Sequence, residues 1–152
     1  MFDLEDELAH LRDRLHDSGI EYALCGGLAV GIHGHPRATI DIDILIQPSD
    51  EDRVEQVARE LGYAIKARPM SFAGGATEIR RISKVDTSDG ETLILDMLLV
   101  TPAVAHVWQS RLRVTWRGRD LTVVSPDGLI TLKMLRGSKQ DLADIARLRG
   151  EE

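Results

Sequence analysis

The chain has a single cysteine, Cys25, among 152 residues. It can form no internal disulfide and no cysteine-based zinc site. Aromatic residues are only 4%, which argues against a base-stacking platform built from many rings. No run approaches the roughly 18 apolar residues of a membrane-spanning helix. The first residues, MFDLEDELAHLRDRL, are charged throughout and lack the apolar core of a signal peptide. These absences predict a cytoplasmic protein with no membrane partner. There is also no excess of positive charge. Lys plus Arg number 19 against 25 Asp plus Glu, a net charge of −6, which excludes a broad basic face for wrapping nucleic acid.

What is present is an ordinary globular balance, 43% apolar and 29% charged. The length predicts one domain over residues 1–152, with a core over about 20–125 and C-terminal helices over about 126–150. The charge is uneven. Residues 1–100 hold 10 basic and 19 acidic side chains, and residues 101–152 hold 9 and 6.

Leu4, Leu8, Leu11 and Leu15 share one face of a helix over 3–17 that Asp3 can cap. A short strand over 21–25 runs into Gly26-Gly27 and a helical segment over 28–34. A strand follows over 40–47, then a helix over 51–61. Residues 62–65 start a short strand and 68–76 read as a mobile loop. Strands over 77–85 and 92–100 flank the hairpin signal Asp89-Gly90. A helix over 102–110, a hairpin of 112–117 and 120–124 across Gly118, and helices over 127–136 and 138–149 complete the chain. This order predicts an α+β fold with a mixed, largely antiparallel sheet flanked by helices, not a doubly wound parallel one.

The chemistry concentrates in three carboxylates. Asp41 and Asp43 are two apart in an apolar strand, so both point to one face and Ile40, Ile42 and Ile44 to the other. Like charges side by side repel, and a divalent cation with oxygen ligands, Mg²⁺ above all, is the natural counter-charge. Asp96 lies inside the apolar run LILDMLLV, where an unshared charge is costly. If its strand neighbours that of Asp41 and Asp43, the three can hold two Mg²⁺ ions, with Mn²⁺ as a substitute. Gly26-Gly27, between a strand and a helix, lets a phosphate approach the backbone closely.

Each residue also has a plainer reading. The Asp pair can be a solvated strand face, Asp96 a strand-end charge facing solvent or an arginine, and Gly26-Gly27 an ordinary turn. Arg37 can bind a triphosphate or the catalytic carboxylates, or simply pair at the surface. Thr39 reads as structural, with contact to phosphate or metal-bound water the lesser alternative. Lys133 can be a solvated lysine on its helix. Asp141 and Asp144 read as helix-surface or capping residues, with a place in the catalytic cleft the lesser alternative for Asp144. His33 and His35 read as structural or surface residues, and Cys25 as a small core residue. Arg80, Arg81 and Lys84 form either a solvated edge or a face for a polyanionic acceptor.

A hydrophobic residue, Gly26-Gly27, a gap of 13 residues, Asp41-Ile-Asp43-Ile and then Asp96 together resemble the signature of the nucleotidyltransferase superfamily, the DNA polymerase β-like fold. The finer resemblance is to bacterial minimal nucleotidyltransferases and AbiEii-like toxins. It rests on Gly26, Gly27, Ala29, Arg37, Thr39, Lys133, Lys139, Asp141 and Asp144. The chain departs from that pattern at Gly27, where many members carry a serine, and in being shorter than the full-length toxins.

The resemblance implies transfer of a nucleoside monophosphate from an NTP to an acceptor hydroxyl, with release of pyrophosphate. Asp41, Asp43 and Asp96 would bind the metals, and Gly26, Gly27, Arg37, Thr39 and Lys133 would position the nucleotide. The acceptor class stays open among a tRNA end, a protein and a small molecule. A place in a toxin–antitoxin or abortive-infection system, and a protein partner or homodimer, belong to the same expectation. The alternatives are a catalytically silent binding module, antitoxin-like, and another metal-dependent phosphoryl-transfer enzyme.

Overall fold

The computed structural model describes residues 1–36, 39–137 and 139–150, the side chains of 139 and 140 excepted. Its centre is an eight-stranded mixed sheet. The strands are β1 (Ala23–Cys25), β2 (Asp41–Ile46), β3 (Ile65–Lys66), β4 (Met70–Phe72), β5 (Thr77–Val85), β6 (Thr92–Leu99), β7 (Leu112–Trp116) and β8 (Arg119–Val123). Their order is β3-β5-β6-β2-β1-β8-β7, with β4 paired to β5. β2 runs parallel to β6 and antiparallel to β1, and β1 runs parallel to β8. The α+β expectation holds.

The helices are α1 (Leu4–Asp17), α2 (Gly26–Ile32), α3 (Glu51–Glu60), α4 (Ala105–Gln109), α5 (Pro126–Arg136) and α6 (Lys139–Arg149). Asp3 caps α1 by accepting from the N–H groups of Glu5 and Asp6, each at 3.1 Å. Leu8, Leu11 and Leu15 of its apolar stripe are buried in the same core as Ile42 and Ile44. Ser125 caps α5 through Gly128 N–H at 3.1 Å, and Gly137 ends that helix at φ 68°. Among the described residues no helix is long and apolar enough to cross a membrane.

Three local expectations change. The loop expected over 68–76 contains β4, which folds back on β5 with Phe72 opposite Thr77. Gly74 and Gly75, both at positive φ, supply the tight reversal. The metal-bearing strand starts at Asp41, and Ile40 is exposed rather than packed beside Ile42 and Ile44. The helix expected over 102–110 begins as a 3₁₀ turn over Pro102–Val104 before α4.

The uneven charge has a partly internal outlet. Arg119 forks onto Asp13 of α1 at 2.9 and 3.2 Å, and Arg117 reaches Asp6 at 2.8 Å and Glu5 at 3.3 Å. The basic β7–β8 hairpin is therefore spent in part on the acidic first helix.

Candidate active site

The sheet register builds the site. Asp43 lies directly opposite Asp96 across the parallel β2–β6 pair, and opposite Cys25 across β1. Asp41, two residues before Asp43, shares its face. Asp43 and Asp96 are buried and Asp41 is half-buried. Burial, reinforced by the charges of Asp96 and Asp41, pushes the Asp43 carboxyl up to about 7. A cation placed here would relieve that repulsion.

Gly26 explains why the strand must end in glycine. Its φ is 67°, and a Cβ at this position would lie 2.0 Å from Asp43 Oδ2. What approaches this backbone is the Asp43 carboxylate. Gly27 is buried in the same turn. Cys25 is a buried core residue whose thiol is pushed up by burial and by the nearby Asp43 charge. His33 Nε2 lies 2.8 Å from the Val124 carbonyl and must therefore be the protonated nitrogen, tying the end of α2 to the start of α5, as its structural reading expects.

Asp96 already has a partner. Arg81, opposite it on β5, donates from Nε to Oδ1 at 2.8 Å and from Nη2 to Oδ2 at 2.9 Å. The basic group of β5 is thus not a free face. Arg80 pairs with Glu51 at 3.6 Å and Glu78 at 3.4 Å, and Lys84 with Glu7 at 2.7 Å while donating to the Leu61 carbonyl at 2.9 Å. Strand alternation turns Arg81 away from its neighbour Arg80 and onto the carboxylates. The sequence signal that could have found it is the β5–β6 hairpin. Its register depends on a four-residue loop, 87–90, closed by the N–H of Asp86 donating to the Glu91 carbonyl at 2.7 Å. A two-residue turn at Asp89-Gly90 would have set Arg81 opposite Leu98.

Lys133 is buried on α5 and reaches the same region. It lines a cavity of about 20 Å³, room for about one water, with Cys25, Gly26, Asp43, Arg136 and Asp141. Its ammonium lies 2.9 Å from Asp144 and 3.7 Å from Asp141. The surface reading of Asp141 and Asp144 is corrected: both are buried, because α6 folds over α5 and brings them to Lys133. Arg136 adds a second cation 3.5 Å from Asp141. Thr39 contacts the backbone of Asp41 at 3.5 Å. Arg37 lies outside the described residues.

The donor set fits a hard divalent cation in kind: oxygen ligands, neighbouring like charges, and one carboxyl pushed up by burial and by their repulsion. The fit is incomplete in arrangement. Asp96 has both oxygens on Arg81, and among the described residues no three His, Cys, Asp or Glu side chains converge as ligands.

No protein-family model and no curated protein matches the chain. Solved structures do. A proposed nucleotidyltransferase (TM1012) from Thermotoga maritima superposes with a TM-score of 0.65 at 16% identity, covering 100% of this chain and 97% of that one. ANT(2")-Ia, solved in complex with adenylyl-2"-tobramycin, gives 0.65 at 12% identity over 94% of this chain and 85% of that one. JHP933 from Helicobacter pylori gives 0.54 at 14% identity over 95% and 63%.

Proposed function

From a chain that has the nucleotidyltransferase fold, we propose a divalent-metal-dependent nucleotidyltransferase. It moves a nucleoside monophosphate from an NTP to an acceptor hydroxyl and releases pyrophosphate. The observation that carries this reading is the register: Asp43 faces Asp96 across two parallel strands, with Asp41 on the same face.

Asp41 and Asp43 would hold Mg²⁺, and Asp96 would complete the set on the acceptor side. When bound, the metal neutralises the triphosphate and makes the acceptor hydroxyl easier to deprotonate. The chain's own groups do the rest. Gly26 leaves open the volume that the Asp43 carboxylate needs. Gly27 and Thr39 border the turn and the strand entry, where they would orient the phosphates, and Lys133 would contribute positive charge near them. No side-chain nucleophile is required, because the acceptor oxygen attacks the α-phosphorus in line.

The experiment is incubation with each α-labelled NTP, Mg²⁺ and a cell extract, followed by separation of RNA, protein and small molecules. Label in one fraction that is lost with Asp43→Ala supports the reading and names the acceptor class. Label retained by Asp43→Ala, or inorganic phosphate released from NTP without a labelled acceptor, overturns it.

A second reading is a nucleotidyltransferase-fold binding module without turnover. One observation favours it: Arg81 and Lys133 are both already engaged by carboxylates. Titration with Mg-NTP separates the two, since the module predicts no binding at millimolar nucleotide.

A further inference from the structure

We propose that Arg81 is the resident counter-cation of the carboxylate face, a positioning residue that competes with the divalent metal for Asp96 and sets how tightly the chain binds it. The inference rests on the metal-binding reading above and adds a determinant that reading does not contain.

Three observations carry it. The first is the fork. Both Arg81–Asp96 contacts are short, at 2.8 and 2.9 Å, and they use both oxygens of one carboxylate. The second is the asymmetry of exposure. The Asp96 side chain is 4% exposed and that of Arg81 is 36%, so a buried anion is covered by a cation with one side in water. A guanidinium so placed can move outward into water, whereas Asp96 stays buried and then needs another counter-charge, which a divalent ion can supply. The third is that the pairing extends beyond Asp96. Arg81, Asp96 and Asp43 lie opposite one another on three neighbouring strands, with Asp41 on the same face. Arg81 therefore offsets part of the charge of all three carboxylates. The other two cations of β5, Arg80 and Lys84, are committed to Glu51, Glu78 and Glu7.

The physical consequence is a competition. A divalent ion near Asp96 meets the repulsion of a fixed positive charge a few ångströms away, and Asp96 has to turn from or share its fork to become a ligand. The metal-free chain gains in stability from Arg81, and the same residue weakens metal binding. A purely structural ion pair would do only the first.

The test is Mn²⁺ binding to the whole chain, followed by the loss of the free-ion paramagnetic signal, together with melting in chelator and in Mn²⁺. Arg81→Gln removes the charge and keeps hydrogen-bonding capacity. It is expected to melt lower than wild type in chelator and to bind Mn²⁺ at least about tenfold more tightly, so that Mn²⁺ raises its melting temperature by more than it raises that of wild type. Arg81→Lys keeps the charge but not the fork, and a tightening of about two- to fivefold is expected. This variant decides the matter if Arg81→Gln does not fold. Mn²⁺ affinity unchanged or weakened in the variant that folds, or an equal fall in melting temperature with and without Mn²⁺, overturns the proposal and leaves Arg81 a structural staple. Failure of the underlying metal reading looks different: wild type and Asp43→Asn would then bind Mn²⁺ equally.

Discussion

Two groups of carboxylates border one small cavity, Asp43 from the first and Asp141 from the second, and they are balanced in different ways. On the sheet, Asp41, Asp43 and Asp96 share one face of β2 and β6, and the half-exposed Arg81 forks onto Asp96. On the helices, Asp141 and Asp144 form ion pairs with Lys133 and Arg136. The helical cluster is paired across the helices and holds α6 to α5. On the sheet, burial together with the repulsion of Asp96 and Asp41 pushes the Asp43 carboxyl up to about 7. Buried charge that is paired holds a fold together; buried charge in excess is a place for something else to bind.

The largest expected effect would break this comparison outright. Asp43→Ala and Asp41→Ala should lower Mg²⁺-dependent transfer by at least about a hundredfold with the circular dichroism spectrum unchanged. Full activity in either variant removes the functional side of the contrast.

Next comes Lys133→Met, which leaves Asp144 buried without its nearest cation. It should lose about 3–5 kcal/mol in urea unfolding. A loss under about 1 kcal/mol would show that the helical pair is not needed.

The sheet cluster should behave with the opposite sign. In chelator, Asp43→Asn removes a charge that the interior disfavours. The folded Asp43 keeps a proton that the unfolded chain, titrating near 3.9, gives up. The stability this contributes is present below about pH 4 and is lost as the pH rises through about 7. The advantage of Asp43→Asn over wild type should therefore grow between these values, reaching on the order of 2–4 kcal/mol at pH 8. An advantage that does not change with pH would mean that Asp43 titrates normally. The smallest effect belongs to the surface: Arg119→Ala should cost no more than about 1 kcal/mol, and less as salt is added.

Much of this could be read from the residues themselves. Asp3, Ser125 and the apolar stripes carry local signals, and they place α1 and α5 closely. Asp41-Ile-Asp43 and Asp96 stand out because a charge in an apolar strand asks for an explanation. What the sequence hid depends on pairings between distant segments. Arg81 meets Asp96 only because the loop 87–90 sets one register and not the next. Asp141 and Asp144 look like surface acids until α6 turns at Gly137 and lies over Lys133. The strand β4 was masked by the glycines that make its hairpin.

Gly26 contributes no functional group, yet the volume it vacates is filled by an Asp43 oxygen. In a saturating mutational scan, position 26 should group with the acids rather than with the turns. Even alanine there must move Asp43 from its place between Cys25 and Asp96. An absent methyl group would then be as intolerant of replacement as a ligand.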